Sequence, residues 1–142
     1  MECEIPKFNA SSKELVDILS RSKTIAVVGI SPKEDRPSHW IAKYLMDHGY
    51  DVVGVNPGIS ELFGRKVYKS LLEVPNPVDI VDIFRPAEAV PGIVEEAIQM
   101  KAKVIWMQEG IVHNAAAERA KAAGLVVVMS KCIYKEHAKA GL

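Results

Sequence analysis

An apolar strand that ends in a glycine and leads into a helix start constrains this chain more than any other feature. Residues 24–28 read Thr-Ile-Ala-Val-Val, Gly29 closes the run, and Pro37 stands at the first position of the next helical pattern. A strand, a turn and a helix N-terminus in this order leave backbone N–H groups free to bind an anion. The junction therefore predicts a site for a phosphate-bearing ligand next to Gly29.

The rest of the chain alternates predicted helices with predicted strands. Ser11 and Glu14 form a capping signal that begins the first helix. Further helices are predicted at 37–48, 87–100 and 114–123, and strands at 24–29, 51–55, 78–84, 103–107 and 125–129. Strands separated by helices favour βαβ crossovers and a parallel sheet buried on both faces. The predicted fold is α/β, Rossmann-like and doubly wound, with three α/β/α layers and a mainly parallel sheet of five strands.

Length, charge and cysteine content limit the classes of protein to which this chain can belong. Its 142 residues suit a single domain over 1–142, with a core at 11–130 and a C-terminal tail at 131–142. The 18 Lys and Arg balance the 18 Asp and Glu, so the net charge predicts no binding to nucleic acid or to an anionic membrane. No apolar run is long enough for a membrane span, and the start lacks a signal-peptide pattern. With only Cys3 and Cys132, a reduced cytoplasmic location is expected.

Cationic side chains follow the predicted strands. In an open parallel sheet the ligand binds beyond the carboxyl ends of the strands, where the strand order reverses. The connections after the first three strands carry Arg36, Arg65, Lys66 and Arg85. Polar surface loops also carry arginine by chance, but cations in three successive connections favour a ligand with several negative charges.

The pattern of glycines and acids narrows the choice of polyanion. A dinucleotide site has Gly-x-Gly-x-x-Gly after the first strand and an acidic residue about 20 positions later for the ribose hydroxyls. Here no second glycine occurs between Gly29 and Gly49, and the second strand ends at Asn56. Asparagine admits a phosphorylated ribose without charge repulsion, and Lys66 could pair with that phosphate. The chain therefore favours NADP or a 3′-phosphorylated nucleotide over NAD, and it lacks the Gly-Lys-Ser/Thr of a P-loop.

Five segments in this order resemble a known family. The segments are 24–31 with 36–38, 56–57, 84–86, 108–110 and 129–133. Together they resemble the small stand-alone CoA-binding proteins, which are similar to the CoA-binding domain of the succinyl-CoA synthetase α subunit. The resemblance covers residues 11–140 and implies a Rossmann-like fold that holds CoA across the strand ends.

The resemblance also implies which residues contact CoA. The phosphates are expected near Gly29, Ile30, Ser31, Arg36 and Ser38. The phosphorylated adenosine is expected near Asn56, Pro57 and Lys66, and the adenine or the linker near Phe84, Arg85 and Pro86. The path of the pantetheine arm is expected along Gln108, Glu109 and Gly110.

These observations predict a protein that binds CoA or acyl-CoA without catalysing a reaction alone, in a regulatory or carrier role or as a partner module. The synthetase carries its phosphorylated catalytic histidine in a further domain, for which this chain has no predicted counterpart. No catalytic or metal-ligating residue is predicted, because His39 and His48 fall on opposite faces of one helix, and Asp79 and Asp82 on opposite faces of one strand. Two alternatives stay open: an NADP-binding oxidoreductase-like protein, and a ligase-type subunit that needs a partner chain.

Five further side chains carry specific expectations. His113 is either a first-turn residue of its helix or part of the thiol end of the site. Cys132 is either a half-buried apolar residue or the partner of the CoA thiol in a mixed disulfide. Asp82 is expected to anchor an arginine or a loop amide, Trp40 to pack in the core, and His137 to be solvated in the tail.

Overall fold

One central sheet of seven strands organises the computed structural model, which describes residues 4–142. The strands are β1 (Thr24–Val28), β2 (Asp51–Val55), β3 (Glu61–Leu62), β4 (Arg65–Tyr68), β5 (Ile80–Ile83), β6 (Val104–Met107) and β7 (Val126–Val128). The helices are α1 (Ser12–Arg21), α2 (Pro37–Asp47), α3 (Val90–Gln99), α4 (Asn114–Ala122) and α5 (Ile133–Ala140). Short 3₁₀ turns lie at Leu71–Glu73 and Ala87–Ala89. Cys3 lies outside the described residues.

The sheet confirms the predicted fold class and is wider than predicted. Its strand order is β3-β4-β2-β1-β5-β6-β7, and every neighbouring pair is parallel except β3 with β4. The expected glycine-rich loop around Arg65 and Lys66 instead forms the β3–β4 hairpin, whose turn has φ +57° at Phe63 and φ +71° at Gly64. Positive φ at both central positions is typical of a two-residue hairpin turn. Both strands begin with charged residues, Glu61 in β3 and Arg65 and Lys66 in β4, so neither shows the apolar run that marks the predicted strands.

Alternate residues of each strand pack against different helices, as strands buried on both faces require. Ile25 and Val27 of β1 belong to the apolar cluster covered by α1, α2 and α5. Ala26 and Val28 belong to the cluster covered by α3 and α4. The result is three layers with the sheet in the middle. Within residues 4–142, no helix has the length and apolar character needed to cross a membrane.

The C-terminal tail of residues 131–142 folds as α5 and packs on α2. His137 is only 3% exposed, and its Nδ1 lies 2.8 Å from the Tyr44 hydroxyl oxygen on α2. Burial lowers the pKa of His137, and the nearby His48 lowers it further. The prediction that His137 is solvated is therefore wrong, because α5 turns its His137 and Ile133 side towards the sheet and α2.

The boundary between β1 and β5 is the point where the strand order reverses. From β1 the chain moves to β2 and β4 on one side, and β5 returns to the other side of β1. Gly29, directly after β1, has a φ of +92°, and a Cβ there would lie 2.7 Å from the Phe84 carbonyl oxygen. Its N–H donates to the Val55 carbonyl oxygen at 2.9 Å. The ends of β1, β2 and β5 therefore meet at a residue that only glycine can occupy without strain.

A carboxyl group lies inside the sheet layer. Asp82 on β5 is fully buried between Val27 and Trp106 in the strand register, and within residues 4–142 neither carboxyl oxygen has a hydrogen-bond partner. Burial raises the pKa of Asp82 well above its usual value. The expectation that Asp82 anchors Arg85 or a loop amide is wrong, because its strand position directs it into the apolar layer under α2 and α5.

We expect Gly29→Ala to destabilise the protein more than Gly49→Ala. Both glycines have positive φ, +92° and +91°, so each alanine meets a similar left-handed strain of roughly 1–2 kcal/mol. Only at Gly29 would the new methyl group also collide with backbone, since nothing lies within 4 Å of a Cβ at Gly49. Urea unfolding should show an additional loss of about 1 kcal/mol or more for Gly29→Ala. Equal losses would contradict the tight contact with Phe84.

Asp82 should make folding less favourable as the pH rises. The unfolded chain loses this proton near the ordinary pKa of an aspartate, whereas the folded protein retains it to higher pH. Stability therefore falls through that window, by up to about 1.4 kcal/mol per pH unit. Asp82→Asn removes this contribution, so urea unfolding at about pH 4 and pH 7 should show the variant gaining stability relative to wild type at the higher pH.

Asp79→Asn is the matched control of opposite sign. Burial alone would raise the pKa of Asp79, but the N–H groups of Thr24 and Lys23 and the Lys103 ammonium lower it overall. The stability it contributes is present above the ordinary aspartate pKa and is lost as the pH falls through the folded-state pKa. Asp79→Asn should therefore lower the free energy of unfolding most at neutral pH.

If Asp82→Asn leaves the pH dependence of stability unchanged, Asp82 is ionised in the folded protein.

Candidate functional site

Two cavities lie side by side at the carboxyl edge of the sheet. The large cavity, of about 790 Å³, lies between the N-terminus of α2, the end of β6 and the N-terminus of α5. The small cavity, of about 420 Å³, lies between the ends of β2 and β4 and the first turns of α3. Gly29 and residues 84–86 line both. A ligand that passes over Gly29 could thus occupy both sides of the sheet, at the reversal point where open parallel sheets bind ligands.

Different elements form the two walls. The large cavity is lined by Gly29, Ser31, Lys33, Arg36, Pro37, Ser38, Trp40, Ile41, Phe84, Arg85, Pro86, Gln108, Glu109, Ile111, Cys132, Tyr134 and Lys135. The small cavity is lined by Val28, Gly29, Val55, Asn56, Pro57, Lys69, Ser70, Phe84, Arg85, Pro86, Ala89, Gly92, Ile93 and Glu96. The large cavity combines cations and Glu109 with aromatic and aliphatic side chains. The small cavity combines two cations, Lys69 and Arg85, and one carboxylate, Glu96, with uncharged polar and apolar residues.

The loop between β1 and α2 presents a helix N-terminus to the large cavity. Arg36 is the residue before the helix, Pro37 occupies its first position, and Ser38 follows with 6% exposure. No acidic side chain lies in the first turn. The Ser31 carbonyl oxygen lies 2.9 Å from Nδ1 of His39, which fixes the loop against the helix. Pro37 has no N–H, and the N–H groups of His39 and Trp40 bond to the Arg36 carbonyl oxygen. The Ser38 N–H and the helix dipole are therefore what favour an anion at this wall.

Asn56 holds two of the loops together. Its Nδ2 donates to the Ile30 carbonyl oxygen at 2.7 Å, and its Oδ1 accepts from the Gly58 N–H at 2.7 Å. The amide thus joins the β1–α2 loop to the turn after β2. Pro57 lies beside it on the small cavity. A carboxylate at position 56 could not donate to Ile30, so asparagine serves the geometry of the site as well as its charge.

The cations at the edge are only partly the predicted ones. Arg36 and Arg85 line the cavities, and among residues 4–142 neither forms an ion pair. Arg65 instead pairs with Asp51 at 2.9 Å. Lys66 lies within β4 with its Nζ 5.0 Å from the centre of a neighbouring tyrosine ring, and it lines neither of the two cavities. Because β4 runs parallel to β2, Lys69, the first residue after β4, reaches the edge instead.

The segment after β6 supports α5 as well as the cavity. Gln108 is 6% exposed, and its Oε1 accepts from the N–H of Ile133 at 3.1 Å. Glu109 forms a hydrogen-bonded ion pair with Lys135 at 3.0 Å, and this bond raises the pKa of the Lys135 ammonium. Gly110 lines neither cavity; it has a φ of +88°, and its N–H donates to the side chain of Ser130. Glu109 and Lys135 therefore join the two parts of the cavity rim.

Ile30 also lines neither cavity. Its side chain is 2% exposed and packs in the apolar layer under α2, next to Gly54. A Cβ at Gly54 would lie 3.1 Å from the Ile30 side chain, so this glycine leaves room for it. Ile30 can contribute only its backbone to a ligand, and that backbone is held by Asn56.

The aromatic wall of the large cavity was not recognised in the sequence. Trp40 was predicted to pack in the core, but it is 41% exposed and lines the cavity. Its ring meets Tyr134 edge to face, with centroids 5.2 Å apart, and Tyr134 meets Tyr44 in the same way at 4.7 Å. Its neighbours His39 and Ile41 are buried, so Trp40 lies on the side of α2 that faces Tyr134 and the cavity. Tyr134 could not be found because its position depends on how α5 docks.

The histidines have structural roles. His113 is the N-cap of α4, where its Nδ1 accepts from the Ala116 N–H at 3.1 Å. It lines neither of the two cavities, so the interpretation as a first-turn residue accounts for it. His39 is held between the Ser31 carbonyl and the Phe63 ring. In the part of the chain that the structure describes, no group of three or more His, Cys, Asp or Glu side chains is arranged to hold a metal ion.

Comparison with known proteins identifies relatives of two kinds. Over 130 residues the chain is 45% identical to the Uncharacterized protein YneT of Bacillus subtilis (strain 168). This match covers 92% of this chain and 96% of that protein. Over 96 residues it is 38% identical to the alpha subunit of Acetate–CoA ligase [ADP-forming] I of Pyrococcus furiosus. That match covers 63% of this chain but only 21% of the ligase subunit.

Solved structures and a family model agree with this grouping. A hypothetical protein from Pyrococcus horikoshii OT3 superposes over all of both chains with a TM-score of 0.92 and 39% identity. A Thermus thermophilus structure, cell-free ID.343, gives a TM-score of 0.88 and 38% identity over 92% of this chain and 99% of that one. The model of the family described as the CoA binding domain matches residues 23–138, which include both cavities. The chain therefore belongs to the CoA binding domain family.

Proposed function

We propose that this protein binds CoA or acyl-CoA across the two cavities and catalyses no reaction alone. The observation that carries the proposal is the meeting of both cavities at Gly29 and Phe84, with Arg36 and Arg85 at the same edge. A ligand with phosphates in its middle and different groups at its ends fits such an arrangement. CoA has this form, and the family match supports the assignment.

The phosphates belong over the N-terminus of α2 in this proposal. The Ser31 N–H, the Ser38 hydroxyl and the two arginines Arg36 and Arg85 are the donors available there, because the Gly29 N–H is already bonded to Val55. Charge-assisted hydrogen bonds to phosphate are stronger than neutral ones, and guanidinium groups match phosphate geometry well. Because Gly29 has no side chain, the diphosphate can approach the backbone closely.

The two ends of the ligand belong in different cavities. The phosphorylated adenosine is assigned to the small cavity, beside Asn56, Pro57 and Lys69, with residues 84–86 next to the adenine or the linker. The pantetheine arm is assigned to the large cavity, along Gln108 and Glu109 and against its apolar side chains. The apolar part of that wall, which includes Trp40, suits an extended aliphatic chain.

The absence of catalysis is proposed from the groups that are already engaged. His39 and His113 are occupied by backbone partners, and Glu109 is paired with Lys135. Among residues 4–142, none of His39, His113 and Glu109 forms a hydrogen bond with another of these three. A second proposal, that the protein acts as a module for a partner chain, is supported by the Pyrococcus furiosus ligase subunit, of which the matched segment forms 21%.

We expect CoA to stabilise this protein more than NAD or NADP does. A ligand at 100 times its Kd adds about 2.7 kcal/mol to the free energy of unfolding, which raises the Tm of a domain of this size by several degrees. A thermal-shift series with CoA, acetyl-CoA, NAD and NADP measures this directly. A larger increase in Tm with NADP than with CoA would contradict the proposal and favour the NADP-binding, oxidoreductase-like alternative.

Loss of either cavity arginine should weaken CoA binding. Arg36→Ala and Arg85→Ala each remove a charged donor, which is worth about 1.5–3 kcal/mol, or roughly tenfold or more in Kd. Arg119→Ala is the matched control, since this exposed arginine on α4 pairs with Glu95 and lines neither of the two cavities. Titration calorimetry should show near-wild-type affinity for the control. If both cavity variants bind CoA with unchanged affinity, the phosphates of CoA do not bind at this edge.

We expect Lys69 to bind the 3′-phosphate of CoA. Two unit charges about 4 Å apart attract by roughly 4 kcal/mol at an effective dielectric constant of 20, before desolvation is subtracted. We therefore expect dephospho-CoA to bind about tenfold more weakly than CoA and Lys69→Ala to remove most of this difference. Lys66→Ala, on the neighbouring β4, should leave the difference intact. The reverse result would return this role to Lys66, as the sequence alone suggests.

A further inference from the structure

A cysteine lies in the wall of the large cavity. Cys132 is 9% exposed, lines the cavity together with Tyr134 and Lys135, and forms no disulfide within residues 4–142. Two observations independent of the thiol point to a ligand at this wall. The cavity extends from the arginines to α5, and the family is named for a cofactor that itself ends in a thiol.

The position of Cys132 is fixed on both sides along the chain. Before it, the Lys131 carbonyl oxygen accepts from Nε1 of Trp106 at 2.7 Å. After it, the N–H of Ile133 donates to the side chain of Gln108 at 3.1 Å. The fully buried Trp106 and the nearly buried Gln108 both lie on or directly after β6. The thiol is therefore held by the sheet and not by a free C-terminal segment.

The charges around Cys132 suit thiol chemistry. Cys132 is the N-cap of α5, so its side chain lies at the positive end of the helix dipole. Lys135 follows three residues later on the same cavity wall. The hydrogen bond and the charge of Glu109 raise the pKa of Lys135 most. The Lys135 ammonium is carried one helical turn beyond Cys132, on the same cavity wall.

We propose that Cys132 forms a reversible mixed disulfide with CoA, by exchange with CoA disulfide. The proposal rests on CoA binding in the large cavity. The Cys132 thiol gives its proton to solvent, and the thiolate attacks one sulfur of the CoA disulfide. A bond forms between Cys132 Sγ and that sulfur, the original S–S bond breaks, and the second CoA leaves as a thiolate that takes up a proton. One disulfide replaces another, so no further oxidant is required.

Binding makes the exchange selective for CoA. The cations that hold the phosphates lie in the same cavity as Cys132, so a bound CoA disulfide presents its sulfur at a high effective concentration. Glutathione disulfide carries no phosphates and lacks this attachment. The cavity should therefore accelerate exchange with CoA disulfide by tenfold or more over glutathione disulfide, and Arg36→Ala should reduce that preference.

The test is intact-protein mass spectrometry after incubation with CoA disulfide. The wild-type protein should gain the mass of one CoA less two hydrogens, and dithiothreitol should reverse the gain. Cys132→Ser should lose the adduct, whereas Cys3→Ser should retain it. A cooperative thermal transition of Cys132→Ser shows that this variant is folded, and a Tm of the wild-type protein raised by reduced CoA shows that the cavity binds CoA.

Each other outcome overturns a specific part of the proposal. An adduct on Cys3 alone, or none on a protein that reduced CoA stabilises, refutes exchange at Cys132 and leaves CoA binding intact. Equal rates with CoA disulfide and glutathione disulfide refute direction by the cavity. A protein whose Tm does not respond to reduced CoA, and which forms no adduct, loses the proposed function and this inference together.

Discussion

The close approach of Gly29 to the Phe84 carbonyl oxygen is the contact on which the rest of the site depends. It joins the ends of β1 and β5 where the strand order reverses, and the Gly29 N–H ties β2 to the same point. With a side chain at position 29, the strand ends would have to separate and the passage between the two cavities would be blocked. The two cavities are thus arranged around one backbone contact.

The second constraint is the docking of α5. Gln108 fixes its first N–H, Trp106 fixes the residue before Cys132, and the Tyr44–His137 pair fixes its far end to α2. These contacts come from the layer of the sheet opposite α3 and α4. The large cavity therefore has one wall built from a local motif, the β1–α2 loop, and one wall built from long-range packing.

This difference explains how far the sequence could predict the structure. The five predicted strands, which are β1, β2, β5, β6 and β7, and the turn at Gly29 follow from local patterns, and the structure contains them. The choice between Lys66 and Lys69 depends on the register of β4 against β2, which sequence spacing alone does not fix. The core position predicted for Trp40 is wrong because helical periodicity does not show which side of α2 faces α5 and the cavity. The wall formed by α5 depends on side chains from distant parts of the chain, so no local pattern could predict it.

The buried carboxyl of Asp82 has a consequence for the motions of the protein. A local opening that admits water to the middle of β5 allows Asp82 to release its proton, since the penalty on its charged form is then removed. The apolar layer can close again only after Asp82 takes up a proton, because closing over the ionised carboxylate would bury an unpaired charge. Above the pKa that a carboxyl group has in water, local opening of β5 is therefore linked to the release of the Asp82 proton. The population of the open state then increases as the pH rises. The central strand of the sheet thus responds to proton concentration although no solvent reaches it in the closed state.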